Sequence, residues 1–122
     1  LHPYPDRTPS AQLVMSEAKL DDLTHCRVRI DALDLELLDL LNRRTAIVEE
    51  IGRIKEELAL GIYEPKREEQ VFANVLRNNQ GPLPPEAVKR IFERIIDEMR
   101  MVQKVRMQSG DTRHGNEEDK KC

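Results

Sequence analysis

Aromatic side chains are almost missing from this chain of 122 residues: there are two Tyr, two Phe and no Trp. A core must therefore be aliphatic, and there is no set of rings on which nucleotide bases could stack. Positive charge is not in excess either. Twenty Lys and Arg stand against 23 Asp and Glu, a net charge of −3, so the basic footprint of a nucleic-acid-binding surface is absent and no nucleic-acid partner is expected. No apolar run approaches the roughly 20 residues of a membrane span. The opening LHPYPDRTPS lacks the charged-then-apolar layout of a signal peptide. No membrane association is expected, and the cytoplasm is the default location. The two cysteines, Cys26 and Cys122, make no disulfide framework. His2, His25 and His114 have no metal-ligand spacing, so no metal is expected. Glycine is scarce before the last residues, and alternating strand patterns bounded by turns are lacking. An all-α protein of one domain is what these absences leave.

Residues 1–19, with prolines at 3, 5 and 9, read as a flexible N-terminal arm. Residues 109–122, polar and carrying two glycines, read as a disordered tail. Between them, residues 20–108 form the helical domain. The first helix runs from about Leu20 to Leu58, opening near Asp21 or Asp22, whose carboxylates suit a helix N-terminus. Gly61 and Pro65 mark the turn that follows. A second helix runs from Pro65 to Asn79, with Val71, Phe72, Val75 and Leu76 as its apolar positions. After the breakers Gly81 and Pro82, a third runs from Pro85 to Gln108. Its stripe is Val88, Ile91, Phe92, Ile95, Ile96, Met99 and Val102.

The first helix is about 58 Å long at 1.5 Å per residue, too long for the other two to cover. Its exposed seam calls for a second copy of the chain packed in coiled-coil fashion, rather than a monomeric bundle with a projecting arm. The seam is also broken in one informative place. Leu23, Cys26, Ile30, Leu33, Leu37 and Leu40 recur in steps of three and four. Arg44 comes next, before Ile47, Ile51, Ile54 and Leu58 resume the pattern. A charge at such a position is costly unless something pairs with it. Either an internal carboxylate or an anionic ligand must meet Arg44.

Lys55 lies eleven residues after Arg44, three turns on, so both occupy nearly one face. Two such side chains, about 16 Å apart at their Cα atoms, can lean in on one small molecule. Arg27 lies about 25 Å from Arg44 along the same helix and cannot join them unless an antiparallel partner chain supplies it. Arg67 and Glu68 open the second helix. A cation there is not explained by the helix dipole, which favours anions. Plainer roles exist: Arg67 could pair with Glu64 or Glu68, and Lys55 could cover the seam with its stem. Gln103 sits just beyond Val102 in the third helix.

These residues form a spaced set: Arg27-Val-Arg-Ile-Asp-Ala-Leu-Asp34, Leu37-Leu38, Leu40-Leu41-Asn42-Arg43-Arg44, Ile51-Gly-Arg-Ile-Lys55, and Pro65-Lys-Arg67-Glu68. The set resembles the all-helical chorismate mutases over about residues 20–108. The resemblance implies an intertwined three-helix homodimer with two equivalent sites and no cofactor. It also implies a pericyclic rearrangement of chorismate to prephenate by electrostatic stabilisation and conformational restriction. It places the cross-chain carboxylate-binding arginine at Arg27 and its in-chain counterpart at Arg44. Lys55 and Gln103 become donors to the ether oxygen, and Arg67 and Glu68 complete the substrate site. Met99 departs from the pattern, since some members carry a small hydroxyl residue four positions before the glutamine. The alternatives are an isochorismate-pyruvate lyase of the same fold, which uses nearly the same residues, and a non-catalytic helical regulatory module.

Overall fold

The computed structural model describes the backbone of residues 10–121 and the side chains of residues 10–108. Among the described residues there are three helices and no strand: α1 (Ala11–Glu57), α2 (Pro65–Asn78) and α3 (Pro85–Lys121). The all-helical expectation holds, and the inner boundaries agree with the sequence reading to within a residue.

The outer boundaries differ. The helix α1 begins at Ala11, well before Leu20, so residues 11–19 are helical rather than a flexible arm. The cause is Ser10, which acts as an N-cap. Its hydroxyl accepts a hydrogen bond from the Leu13 N–H at 3.1 Å, and its carbonyl accepts from the Val14 N–H at 3.0 Å. Past Pro9 no proline or glycine interrupts the run up to Leu20. The rest of the expected arm, residues 1–9, lies outside the described residues. At the other end α3 carries helical backbone to Lys121, past the Gln108 where the sequence reading stops it. The side chains of 109–122, expected as a disordered polar tail, lie outside the described set.

The chain divides into two units, residues 1–42 and 43–122. In the first, every described residue from 10 to 40 is exposed. The seam positions Leu23, Ile30, Leu33, Leu37 and Leu40 keep between 43% and 61% of their surface in water. Among the described residues of this unit the apolar pattern meets no partner.

The second unit holds the core. There α2 packs on α3, presenting Val71, Phe72, Val75 and Leu76 half-buried. Val88, Ile96 and Met99 of α3 are buried. Phe92, Ile95 and Val102 are partly covered, while Ile91 stands exposed. The end of α1 is fastened to α3 by polar contacts. Thr45 Oγ1 donates to Met99 Sδ at 3.4 Å, Gln103 Nε2 donates to the Val48 carbonyl at 3.4 Å, and Arg106 pairs with Glu49.

The helix α1 stops by a Schellman motif. The Leu60 N–H donates to the Lys55 carbonyl at 2.8 Å and the Ala59 N–H to the Glu56 carbonyl at 3.1 Å. This puts Ala59 at φ 56°, the left-handed region usually given to glycine. Gly61, the expected turn marker, comes two residues too late to serve. Replacing Ala59 with Gly removes the Cβ clash and should stabilise the chain by about 1 kcal/mol, net of the unfolded-state entropy glycine adds. Denaturant unfolding should show a higher midpoint. An unchanged or lower midpoint would contradict the capping geometry.

Candidate functional site

The second unit contains a cavity of about 350 Å³ between the end of α1, the loop after it, α2 and α3. That lies within the roughly 300–1,000 Å³ of small-molecule sites. Ile47, Val48, Ile51, Ile62, Val71 and Ile96 make its apolar wall. The polar lining is Arg44, Lys55, Glu64, Arg67, Glu68, Arg100 and Gln103. Five of the six residues singled out from the sequence thus face one space. Arg27 belongs to the first unit and does not line this cavity.

Four cations and two carboxylates line the cavity, a formal surplus of two positive charges. How the carboxylates are used decides its chemistry. Glu64 pairs with Lys55, Oε1 to Nζ at 3.0 Å, and the same ammonium donates to the Ile62 carbonyl at 3.3 Å. Lys55 sits in the last turn of α1, where the helix dipole favours a cation, and its side chain is mostly buried. An ammonium has three donors, so one remains for a ligand. Glu68 is held by Arg100 from α3. Both carboxylates are therefore taken.

Arg44 and Arg67 are left over. Among the described residues neither is paired with a carboxylate, and Arg67 makes only a long hydrogen bond to Gln70 Oε1, at 3.5 Å. Burial, and then the like charge of Arg67, lower the pKa of Arg44 below the ordinary arginine value. The guanidinium stays protonated at any physiological pH, so folding carries the cost of holding it there. Of the two ways to meet the charge at Arg44, the internal carboxylate is not found among the described residues. The plainer role for Arg67, pairing with Glu64 or Glu68, is not found either, because both acids have other partners.

Gln103 is 8% exposed and projects into the cavity from α3, its amide fixed by the bond to the Val48 carbonyl. One of its two N–H donors is committed there, and the other is available. Met99, the residue that departs from the family pattern, is a buried core side chain accepting a hydrogen bond from Thr45. Arg100 was not singled out from the sequence. It follows Asp97 and Glu98 on α3 and there looks like one more member of a solvated charge row. The only signal was its spacing, one turn before Gln103 and one turn after Ile96.

Arg44→Met keeps the stem of the side chain and removes the charge. Breaking a buried ion pair costs about 3–5 kcal/mol, whereas removing an uncompensated cation costs nothing of that kind. The thermal midpoint of the ligand-free variant should equal or exceed that of the wild type. Stabilisation by an added dicarboxylate should be lost. A marked fall in the ligand-free midpoint would show that Arg44 has an internal anion after all.

Comparison with known proteins bears directly on this site. Residues 26–104, which include every residue of the polar set, match the family described as Chorismate mutase type II. The bifunctional chorismate mutase/prephenate dehydratase of Aquifex aeolicus (strain VF5) is 38% identical over 81 residues, covering 63% of this chain and 22% of that protein. The chain thus spans about a fifth of the length of such relatives. The chorismate mutase of Methanocaldococcus jannaschii is 24% identical over 86 residues, covering 70% of this chain and 87% of that protein. The chorismate mutase structure (Form II) from Thermus thermophilus superposes with a TM-score of 0.67 at 35% identity, covering 68% of this chain and 94% of that one. With the family's sequence signature running through both the cavity-lining helices and the exposed seam, the chain belongs to the Chorismate mutase type II family.

Proposed function

We propose that this chain is a chorismate mutase, rearranging chorismate to prephenate. The observation that carries the reading is the pair Arg44 and Arg67, two guanidinium groups in one cavity with no carboxylate to answer them among the described residues. Chorismate carries two carboxylates, which match that surplus charge for charge. An arginine presents planar paired donors suited to a carboxylate.

The rearrangement breaks the ether C–O bond and forms a C–C bond within one molecule. It transfers no proton and needs no nucleophile. The protein must fold the substrate into its compact reactive conformer and stabilise the negative charge that grows on the ether oxygen. Arg44 and the partner's Arg27 clamp the two carboxylates with Arg67 supporting, and the apolar wall of Val48, Ile51 and Ile96 restricts the ring. The spare donors of Lys55 and Gln103 act on the ether oxygen from opposite helices, while Glu68 accepts from the ring hydroxyl. These positions are already fixed by the Glu64 and Val48 contacts, so little reorganisation is needed as charge develops.

The proposal includes a homodimer with shared sites. The exposed seam of Leu23, Ile30, Leu33, Leu37 and Leu40 supports it, because so long an apolar stripe is not stable in water. Arg27 then reaches the cavity of the partner chain. Mixing an Arg27→Ala dimer with a Lys55→Ala dimer should restore one intact site per heterodimer after subunit exchange. Proven exchange with no return of activity would remove Arg27 from the site.

The direct test follows the loss of chorismate's ultraviolet absorbance with identification of the product. Prephenate is expected. Salicylate and pyruvate formed from isochorismate, without prephenate from chorismate, would favour the lyase, and binding without turnover would favour a regulatory module. A sharper prediction concerns Gln103. Gln103→Glu replaces a donor with a carboxylate beside the developing charge. Activity at neutral pH should fall by about 10²–10³-fold, the value of one donor at such a site. Protonation restores a donor, so the variant should recover as pH falls, whereas the wild-type amide cannot titrate. A pH–rate profile identical to wild type would place Gln103 away from the ether oxygen.

A further inference from the structure

Arg100 has no role in the account above, yet its guanidinium lies in the wall of the cavity. It touches three side chains. Nη2 pairs with Glu68 from α2 and lies 3.4 Å from Asp97 on its own helix. The guanidinium carbon stands 5.6 Å from the centre of the Tyr63 ring, in cation–π range. Nε is sealed from solvent and has no hydrogen-bond partner. An orphaned buried donor is unfavourable, so the group is held in place by its remaining contacts. The same sealing keeps Nε from a ligand.

We infer that Arg100 is a positioning residue that prevents Glu68 from neutralising Arg44 and Arg67. Glu68 lines the same cavity as both arginines and follows Arg67 directly in the chain. Its side chain is only 19% exposed, so water is a poor competitor for it. A carboxylate in that place, left without Arg100, turns to the cations beside it. The cavity then loses the charge that a dianionic ligand needs, and Glu68 loses the orientation that accepts a ring hydroxyl. By taking Glu68 on the α3 side, Arg100 keeps the acid inside the site and the anion-binding charge free. Glu64 is kept from the same arginines by Lys55, so each acid in the cavity has its own cation.

The inference rests on the mutase reading. Its test is a double-mutant cycle on the full chain with Arg100→Met, Glu68→Gln and their combination, and with Arg100→Lys as the charge-retaining control. The readouts are kcat and KM for chorismate, Kd for prephenate and the thermal midpoint. Arg100→Met should raise KM and the prephenate Kd about tenfold, with a smaller change in kcat, in keeping with coupling between contacting groups. Arg100→Lys should recover most of this loss. In the Glu68→Gln background, where the Glu68 carboxylate is gone and Glu64 stays on Lys55, Arg100→Met should change KM and Kd by less than about twofold. Equal losses in both backgrounds, or a fall in the thermal midpoint without the change in KM and Kd, would overturn the inference. Wild type that binds prephenate but does not convert chorismate would sink the mutase reading alone, since the same cycle on Kd still decides the role of Arg100. Wild type that binds neither dianion would overturn both.

Discussion

Two like charges share a cavity, and the rest of the site is arranged around that fact. Arg44 sits where the seam of α1 calls for an apolar residue, and Arg67 faces the same space from α2. Burial, and then the charge of Arg67, raise the cost of holding Arg44 there. A protein selected only for stability would set a carboxylate between them or replace Arg44 by leucine. Here the two acids that could serve are bound elsewhere, Glu64 by Lys55 and Glu68 by Arg100. The unfavourable charge persists in the ligand-free chain, and under the proposed function an anion of matching charge would make it favourable. Binding energy of this kind is available because the ion pairs around it are already formed.

The remaining architecture keeps that charge in place. The Schellman turn at Ala59 ends α1 just after Lys55 and brings Ile62 and Glu64 back onto its ammonium. On α3, Gln103 and Met99 are fastened to the end of α1 through Val48 and Thr45. Lys55 and Gln103, the donors proposed for the ether oxygen, therefore come from a fixed frame, which is what stabilisation of developing charge requires. In the first unit the reverse holds: α1 offers an apolar face that the described residues of that unit leave exposed. The same helix thus carries a site element at one end and an unsatisfied packing surface at the other.

Much of this could be read in the sequence because it depends on helical spacing. The interruption of a three-and-four pattern by Arg44, its three-turn interval to Lys55 and the stripe of α3 are periodic signals. Proline marked the starts of α2 and α3, where a missing N–H costs nothing. What could not be read depends on single contacts. The N-cap at Ser10 extends α1 by a local hydrogen bond, in a segment whose prolines suggested a loose arm. Ala59 adopts a left-handed conformation that composition would assign to Gly61. Arg100 was hidden among Asp97 and Glu98, because charge rows on a helix look alike until a second helix shows which member faces inward. Arg67 illustrates the same limit: its neighbours Glu64 and Glu68 suggested local pairs, and only the fold shows both acids engaged with cations from other helices.

Calorimetric titration of the wild-type chain with prephenate, over a series of salt concentrations, tests the central claim most directly. Prephenate is a dianion that a mutase releases rather than consumes. A cavity with two unanswered guanidinium groups should bind one prephenate per chain, and the affinity should weaken steadily as salt screens the charge. Binding that is indifferent to salt, or no binding to a folded protein, would contradict the account.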